Sequence, residues 1–306
     1  MSTVIGATGA DLLLPVPDRD TPAALVLGAP ADQSLDDALE TAWSALQAVG
    51  HLVVVVPAAL SAAHRGRLRA VRSLLESDRM ALVDIDLPPL ATALLVEQLR
   101  RISPYDLGPG VIASAARLLA HYLHAGAVLG SVAKLDRVDV GLGTHLKSLL
   151  PGARFAVQAA PAASLTQLAD DTRLPGPDYA TGLAWAAPAG HSGRGHAAGH
   201  PPAGPGLGEE WVKDRLAADW KCQYVRQVPL PEGSARWWGT AKVVEFAAYI
   251  ADVGVLYQLV GSAHRAPCRW CGLELVGDRC AFCSSPLTTA APAPAPAGNP
   301  SRRHGG

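Results

Sequence analysis

The stretch "HLVVVVP", His51–Pro57, decides the fold class. Four consecutive valines carry stiff, β-branched side chains that suit a pleated strand better than a helix. The apolar run is continuous rather than alternating. Both faces of the strand must therefore be buried, as in a parallel sheet covered by helices. Pro57 lacks a backbone N–H and ends the strand.

The same pattern recurs on either side. "AALVLGAP" (Ala23–Pro30) reads as a buried strand, and "MALVDIDLPP" (Met80–Pro89) as another. Helical patterns lie between them. In Ser34–Val49, Ser34 is placed to cap the helix and Asp37 sets a carboxylate near its N-terminus. Ser61–Ser77 is basic and amphipathic, and Leu90–Ile102 reads as a third helix. "VIASAARLLAHYLHAGAVLGSVA" (Val111–Ala133) is long enough to cross a bilayer, but Arg117, His121 and His124 interrupt it. Each would be costly at a bilayer centre. Their spacing puts them on one face, which predicts an amphipathic helix of a soluble protein. Ala153–Ala160 is expected as a further strand of the same sheet. The alternation predicts an α/β fold: a three-layer, Rossmann-like parallel-sheet domain over residues 1–186.

Composition then shifts. Residues 187–208 are dense in Gly and Pro, hold His191, His196 and His200, and read as a linker. Residues 209–263 with the following segment gather five of the seven tryptophans. They are expected to form a small Trp-rich β module, with Ala235–Ile250 and Val253–His264 supplying strands. Residues 264–287 would end it, and the Pro/Ala-rich tail 288–306 should be extended. Apolar residues make up 49% of the 306-residue chain and charged residues 17%, at a net charge of −1. A sizeable core follows, and broad electrostatic capture of nucleic acid or an anionic membrane does not. The N-terminal residues lack the basic and long apolar regions of a signal peptide, so a cytoplasmic location is expected.

"CRWCGLELVGDRCAFC", Cys268–Cys283, contains four of the chain's five cysteines. In a reducing compartment, paired CxxC turns are metal ligands before they are disulfides. Two turns joined by a hairpin aim four thiolates at one point, the set that Zn²⁺ prefers. The segment resembles the short four-cysteine zinc ribbons appended to many bacterial proteins. Cys268, Cys271, Cys280 and Cys283 match, as do Gly272 after the first pair and Phe282 inside the second. Ser284 stands where such ribbons often have glycine. The resemblance implies a structural zinc with closed coordination, leaving no position for substrate.

Other candidates are weaker in pattern. Gly6 and Gly9 begin a dinucleotide fingerprint, but Leu12 stands where the third glycine belongs, so a turn near the chain start is the plainer reading. Gly141–Lys147 is too short for a phosphate loop. Asp32, Asp84 and Asp86 follow strand ends, where ligands collect in parallel sheets, and would hold Mg²⁺ if strand order brought them together. Otherwise they are turn and strand-end residues. Cys222 reads as a packed thiol.

The sequence thus leads to a non-catalytic interaction or regulatory protein, with Arg265, Arg269, Trp270, Arg279 and Phe282 as contact residues for a protein partner. Those side chains would serve equally to close the cysteine module's own core. The alternatives are a Mg- or nucleotide-dependent enzyme using Asp32, Asp84 and Asp86, and nucleic-acid binding through the cysteine module.

Overall fold

The computed structural model describes residues 2–15, 18–138, 153–169, 171–188 and 208–287. The linker assigned to 187–208, its three histidines, Gly141–Lys147 and the tail lie wholly or almost wholly outside them.

The chain is mixed α/β with parallel pairing, but it is built on two large sheets rather than one. The first has the order β2-β1-β3-β4 and is parallel throughout. Its strands are β1 (Ser2–Ala7), β2 (Leu25–Val26), β3 (Gly50–Pro57) and β4 (Met80–Ile85). Val53 to Val55 are fully buried, as a strand covered on both faces requires. One face packs on α1 (Leu35–Val49) and α2 (Ala62–Leu74) through Ala42, Leu46, Leu68 and Val71. Ser34 caps α1 in a reciprocal box with Asp37, as its spacing predicts. The other face packs on α3 (Pro89–Ile102) and α4 (Pro109–Ala120).

The second sheet has the order β7-β6-β5-β10-β8-β9 and is antiparallel except for the β8–β9 pair. Its strands are β5 (His124–Leu129), β6 (Phe155–Ala160), β7 (Ser164–Gln167), β8 (Gly182–Ala186), β9 (Val225–Gln227) and β10 (Val243–Tyr249). Its inner face, with Ala125, Ala184, Ala186 and Ala247, meets the far side of α3 and α4. α3 is thus buried all round over most of its length, with Leu90 to Gln98 each at most 2% exposed, and α4 is buried from Pro109 to Ala116. On the outer face, Leu183, Val244 and Phe246 pack on a π-helical turn, Trp211–Leu216, that runs into α5 (Ala217–Asp219). The remaining elements are α6 (Ser234–Trp237), α7 (Val253–Ser262) and the hairpin β11 (Arg265–Pro267) and β12 (Glu274–Val276).

Several expectations are corrected here. The three-layer domain is in fact two sheets sharing a helical layer. Val111–Ala133 is not one helix: α4 stops at Ala120, and His124 opens β5, a central strand. Arg117, His121 and His124 therefore do not share a helical face. Ala153–Ala160 contains β6 of the second sheet, antiparallel to β5. Val253–His264 is mostly helix, capped by Asp252, whose side chain accepts from the N–H groups of Gly254 and Val255. Residues 209–263 are no separate β module, because β10 inserts between β5 and β8 in the middle of the second sheet. The stretch holding Gly6 and Gly9 is not a turn alone: Ser2–Ala7 is an inner strand, and the predicted first strand shrinks to the two-residue edge β2.

Candidate functional site

The cysteine cluster is built from two near-equivalent turns. The amide of Gly272 donates to the Cys268 carbonyl at 2.9 Å, and that of Ser284 to Cys280 at 3.0 Å. The Cys268 amide donates to Leu273 at 2.9 Å, and the Cys280 amide to Ser285 at 3.0 Å. Gly272 has φ 74° and Ser284 φ 61°, both left-handed. That conformation explains why glycine suits the second turn as well as the first.

The four Sγ atoms lie within 4.8 Å of one another, with Cys268···Cys283 at 3.5 Å and Cys271···Cys280 at 3.6 Å. These separations are far beyond a disulfide bond of about 2.05 Å. They approach the ~3.8 Å edge of a tetrahedron with metal–sulfur bonds of about 2.3 Å. The set can bind a metal ion. Backbone N–H groups of Cys271 and Trp270 pull the Cys268 thiol down to about 7, whereas burial pushes Cys271 up to about 12.

The cluster is no loose appendage. Cys268, Leu275, Cys280 and Phe282 belong to the core shared by both sheets. Arg72 of α2 donates to the Phe282 carbonyl, and His51 meets the Phe282 ring edge-on at 5.7 Å. The start of α4 lies so near β12 that a Cβ on Gly110 would fall 2.2 Å from the Glu274 carbonyl oxygen.

Asp32, Asp84 and Asp86 do not converge. Asp32 follows β2 at one edge of the first sheet, and Asp84 and Asp86 lie at β4 on the other, with β1 and β3 between. Arg65 instead pairs with Asp84, and Arg137 with Asp86 at 3.8 Å. Among the described residues the cysteines alone form a group able to hold a metal. Cys222 is half-buried beside the Thr181 hydroxyl at 3.7 Å, and burial raises its thiol.

Sequence reasoning did not reach the feature with room for a small molecule. A cleft of about 660 Å³ opens at the C-terminal ends of the parallel pair β8 and β9. Ala187 and Pro188 line it beyond β8, Gln227 at the end of β9, then Val228–Glu232, and Ala235 of α6. Leu230 touches both the core between the sheets and a second cluster around Trp237 and Trp238. The only advance signal is "VPLPEGS", a proline-punctuated apolar run.

Two buried carboxylates brace this region. Glu97 of α3 is bound through both oxygens by Arg226 of β9, at 2.9 and 2.8 Å. The Arg226 guanidinium lies 5.0 Å from the centre of the Tyr249 ring. Burial works against the Arg226 charge, and Glu97 outweighs it, so its pKa is raised. Glu245 of β10 is fully buried, accepting from the Leu90 amide at the start of α3 (3.1 Å) and from the Trp238 indole.

Burial raises Glu245 to about 7 from an ordinary 4.5, while those two donors hold it back. The folded state then binds this proton more tightly than the unfolded chain. Its contribution to stability is full below about pH 4.5 and is lost as pH rises towards 7, a change of about 3 kcal/mol. Urea unfolding at about pH 5 and pH 7.5 should show the Glu245→Gln variant losing this part of the wild-type pH dependence. An unchanged difference between the two pH values would show that Glu245 does not titrate there.

No family model and no curated protein matches the chain. Among solved structures, the chain resembles a DegV family protein from Eubacterium eligens loaded with heptadecanoic acid: 12% identity, TM-score 0.51, covering 81% of this chain and 100% of that one. It also resembles a fatty-acid-binding DegV family protein from Thermus thermophilus: 11% identity, TM-score 0.51, covering 82% and 100%. A third match is a DegV family protein from Corynebacterium glutamicum: 9% identity, TM-score 0.51, covering 82% and 98%. At such identities the likeness establishes the fold.

These matches overturn the expected interaction or regulatory protein built around a zinc ribbon with a protein partner. Of the proteins sharing the fold, one is loaded with heptadecanoic acid and another is described as fatty-acid-binding, and the cysteine hairpin here is packed into the core. The contact set is split: Trp270 is 83% exposed and Arg269 is exposed, whereas the other three are engaged within the chain. Phe282 is fully buried, Arg265 lies 4.0 Å from Glu274, and Arg279 donates to the Ser284 carbonyl at 2.9 Å. With Arg265 and Arg279 so engaged, the nucleic-acid alternative loses most of its basic surface. The enzyme alternative loses the acidic site on which it was built, since Asp32 lies at the opposite edge of the sheet from Asp84 and Asp86. No helix among the described residues is long and apolar enough to cross a membrane.

Proposed function

We propose that this protein binds a long-chain acyl ligand at the cleft beyond β8 and β9, and that the four cysteines hold a structural zinc. The observation that carries the acyl reading is the fold, which is shared over about four-fifths of this chain with proteins described as fatty-acid-loaded or fatty-acid-binding. The cleft supports it: 660 Å³ lies within the usual size range of small-molecule sites, and aliphatic and proline side chains dominate its walls. The parallel β8–β9 pair presents its C-terminal ends there, where ligands gather in α/β sheets.

Zinc follows from the donor set: four thiols at near-tetrahedral separations, closed to a fifth ligand. In this reading the metal shapes the fold and takes no part in ligand chemistry.

Native mass spectrometry of delipidated protein mixed with heptadecanoic acid or its monoglyceride is the test. The expected result is one acyl adduct per chain that survives gentle activation. Ala235 is exposed and lines the cleft, so Ala235→Trp should fold normally and weaken binding about tenfold or more by filling the space. If neither acyl compound binds, or Ala235→Trp binds as well as the wild type, the reading fails.

A further inference from the structure

We infer that the outer face of α1 and α2 is an interface with a second copy of this chain, about a twofold axis that lays α1 of each copy on α2 of the other. This face belongs to the first sheet, on the far side of the α3–α4 layer from the second, and owes nothing to the acyl-binding reading.

The two helices are opposite in charge. α1 carries Asp36, Asp37 and Glu40 and no basic residue, whereas α2 carries Arg65, Arg67, Arg69 and Arg72 and no acidic one. They cover the same face of the sheet, yet among the described residues no ion pair joins them. Three of the arginines are engaged within the chain. Arg65 pairs with Asp84, Arg67 donates to the Gln33 carbonyl and Arg72 to the Phe282 carbonyl. Arg69, Asp36 and Glu40 are exposed, and their side chains make no hydrogen bond or ion pair among the described residues.

Shape follows charge. Trp43, on the same outer stripe of α1 as Asp36 and Glu40, is 49% exposed. Tryptophan is among the residue types most enriched as interface anchors. The outer side of α2 is flat beside it. Ala62, Ala63 and Gly66 are exposed, Ala70 is half-buried, and a Cβ on Gly66 would meet nothing within 4 Å. Leu74, 59% exposed, closes this surface at the C-terminal end.

An acidic knob thus lies next to a basic seat. Both helices follow strands of one parallel sheet and lead the chain back to the next, so they run side by side in the same direction. A twofold axis across them would stack α1 on α1 and α2 on α2, like charge on like. An axis along them sets α1 on α2 of the other copy twice over, each contact repeating the other. Glu40 then faces Arg69, and Trp43 lies over Gly66 and Ala70, because all five sit in the middle of their helices. A foreign partner would need this same pairing of knob and seat, which a second copy has already. Two helices per copy make a small interface, so the dimer should be weak and sensitive to salt.

Sedimentation velocity of the full chain, from about 5 to about 300 µM at low salt, is the test. The expected result is a monomer–dimer equilibrium in which dimer prevails at the upper end and recedes at high salt. Trp43→Ala should weaken association about tenfold or more. Glu40→Arg and Arg69→Glu should each weaken it about as much, since each sets like charges against one another at both contacts. An equimolar mixture of these two variants should associate about as well as the wild type, because in the mixed dimer both contacts again join opposite charges. A wild type that stays monomeric throughout overturns the inference, even if the face then captures another protein. So does a dimer that all three variants leave intact, or a pair of charge variants that dissociate and do not recover on mixing. None of these outcomes bears on acyl binding at the cleft, which is measured separately.

Discussion

Removing the proposed metal is expected to unfold far more than the hairpin that holds it. In small cysteine modules, zinc binding supplies folding free energy on the order of 10 kcal/mol. A whole domain is typically stable by only about 5–15 kcal/mol. If this hairpin were an appendage, that loss would stay local. Here Cys268, Cys280 and Phe282 pack in the same core as α3 and α4, and Arg72 ties α2 to the Phe282 carbonyl. Apo protein must also leave four buried or half-buried thiols crowded within 4.8 Å without the cation that draws them together. Chelation, or Cys280→Ser, should therefore lower the thermal midpoint of the whole chain, by at least about 10 °C if about 5 kcal/mol is lost. Circular dichroism melts with metal content measured on the same samples make the comparison. Cys222→Ser is the control, since that residue stands outside the cluster and should cost only about 1 kcal/mol. Protein purified without added zinc that contains no metal, or a Cys280→Ser variant that melts like the wild type, would remove the cluster from the account of stability.

What could be read from the sequence followed the range of the interactions involved. The parallel sheet around Val53–Val56, the cap at Ser34 and the proximity of the four cysteines rest on local preferences and close spacing. Each left its mark within a few residues. The second sheet left no such mark. Its central strands, β5 and β10, lie more than a hundred residues apart, and β5 follows α4 with no Gly or Pro to announce the break. Small residues at Ala125, Gly126 and Ala127 fit a helix pattern as readily as a buried strand, so the pattern carries a helix through them. Gly6 and Gly9 suggest a turn near the chain start, yet Gly6 lies in a strand where its neighbour comes close, 3.1 Å from the Val54 side chain to an added Cβ. The cleft was out of reach for the same reason as the second sheet. It exists only once β8 and β9 are parallel neighbours.

The ion pair between Glu97 and Arg226 should prove to be the cleft's main brace. Glu97 has a side chain only 2% exposed, on a helix that is buried all round, while Arg226 sits on the edge strand that carries Gln227 into the cleft. Burying two charges is expensive, and their mutual attraction in a low-dielectric interior does little more than offset that cost. The pair as a whole therefore contributes little net stability. Removing one partner is another matter, because the survivor is left buried and uncompensated. Glu97→Ala should destabilise the protein by about 3–5 kcal/mol. Arg226→Ala should do the same and also remove the cation from the Tyr249 ring. The double variant Glu97→Leu/Arg226→Met replaces both charges with apolar side chains of similar length, and should lose less than either single variant. Because β9 is an edge strand held by β8 on one side only, the single variants should weaken acyl binding as well as folding, and the double variant should recover much of both. Urea denaturation of the three variants beside the wild type gives the coupling directly. If the double variant loses as much as the two singles added together, the two residues act independently. The pair would then not be what holds β9 against α3.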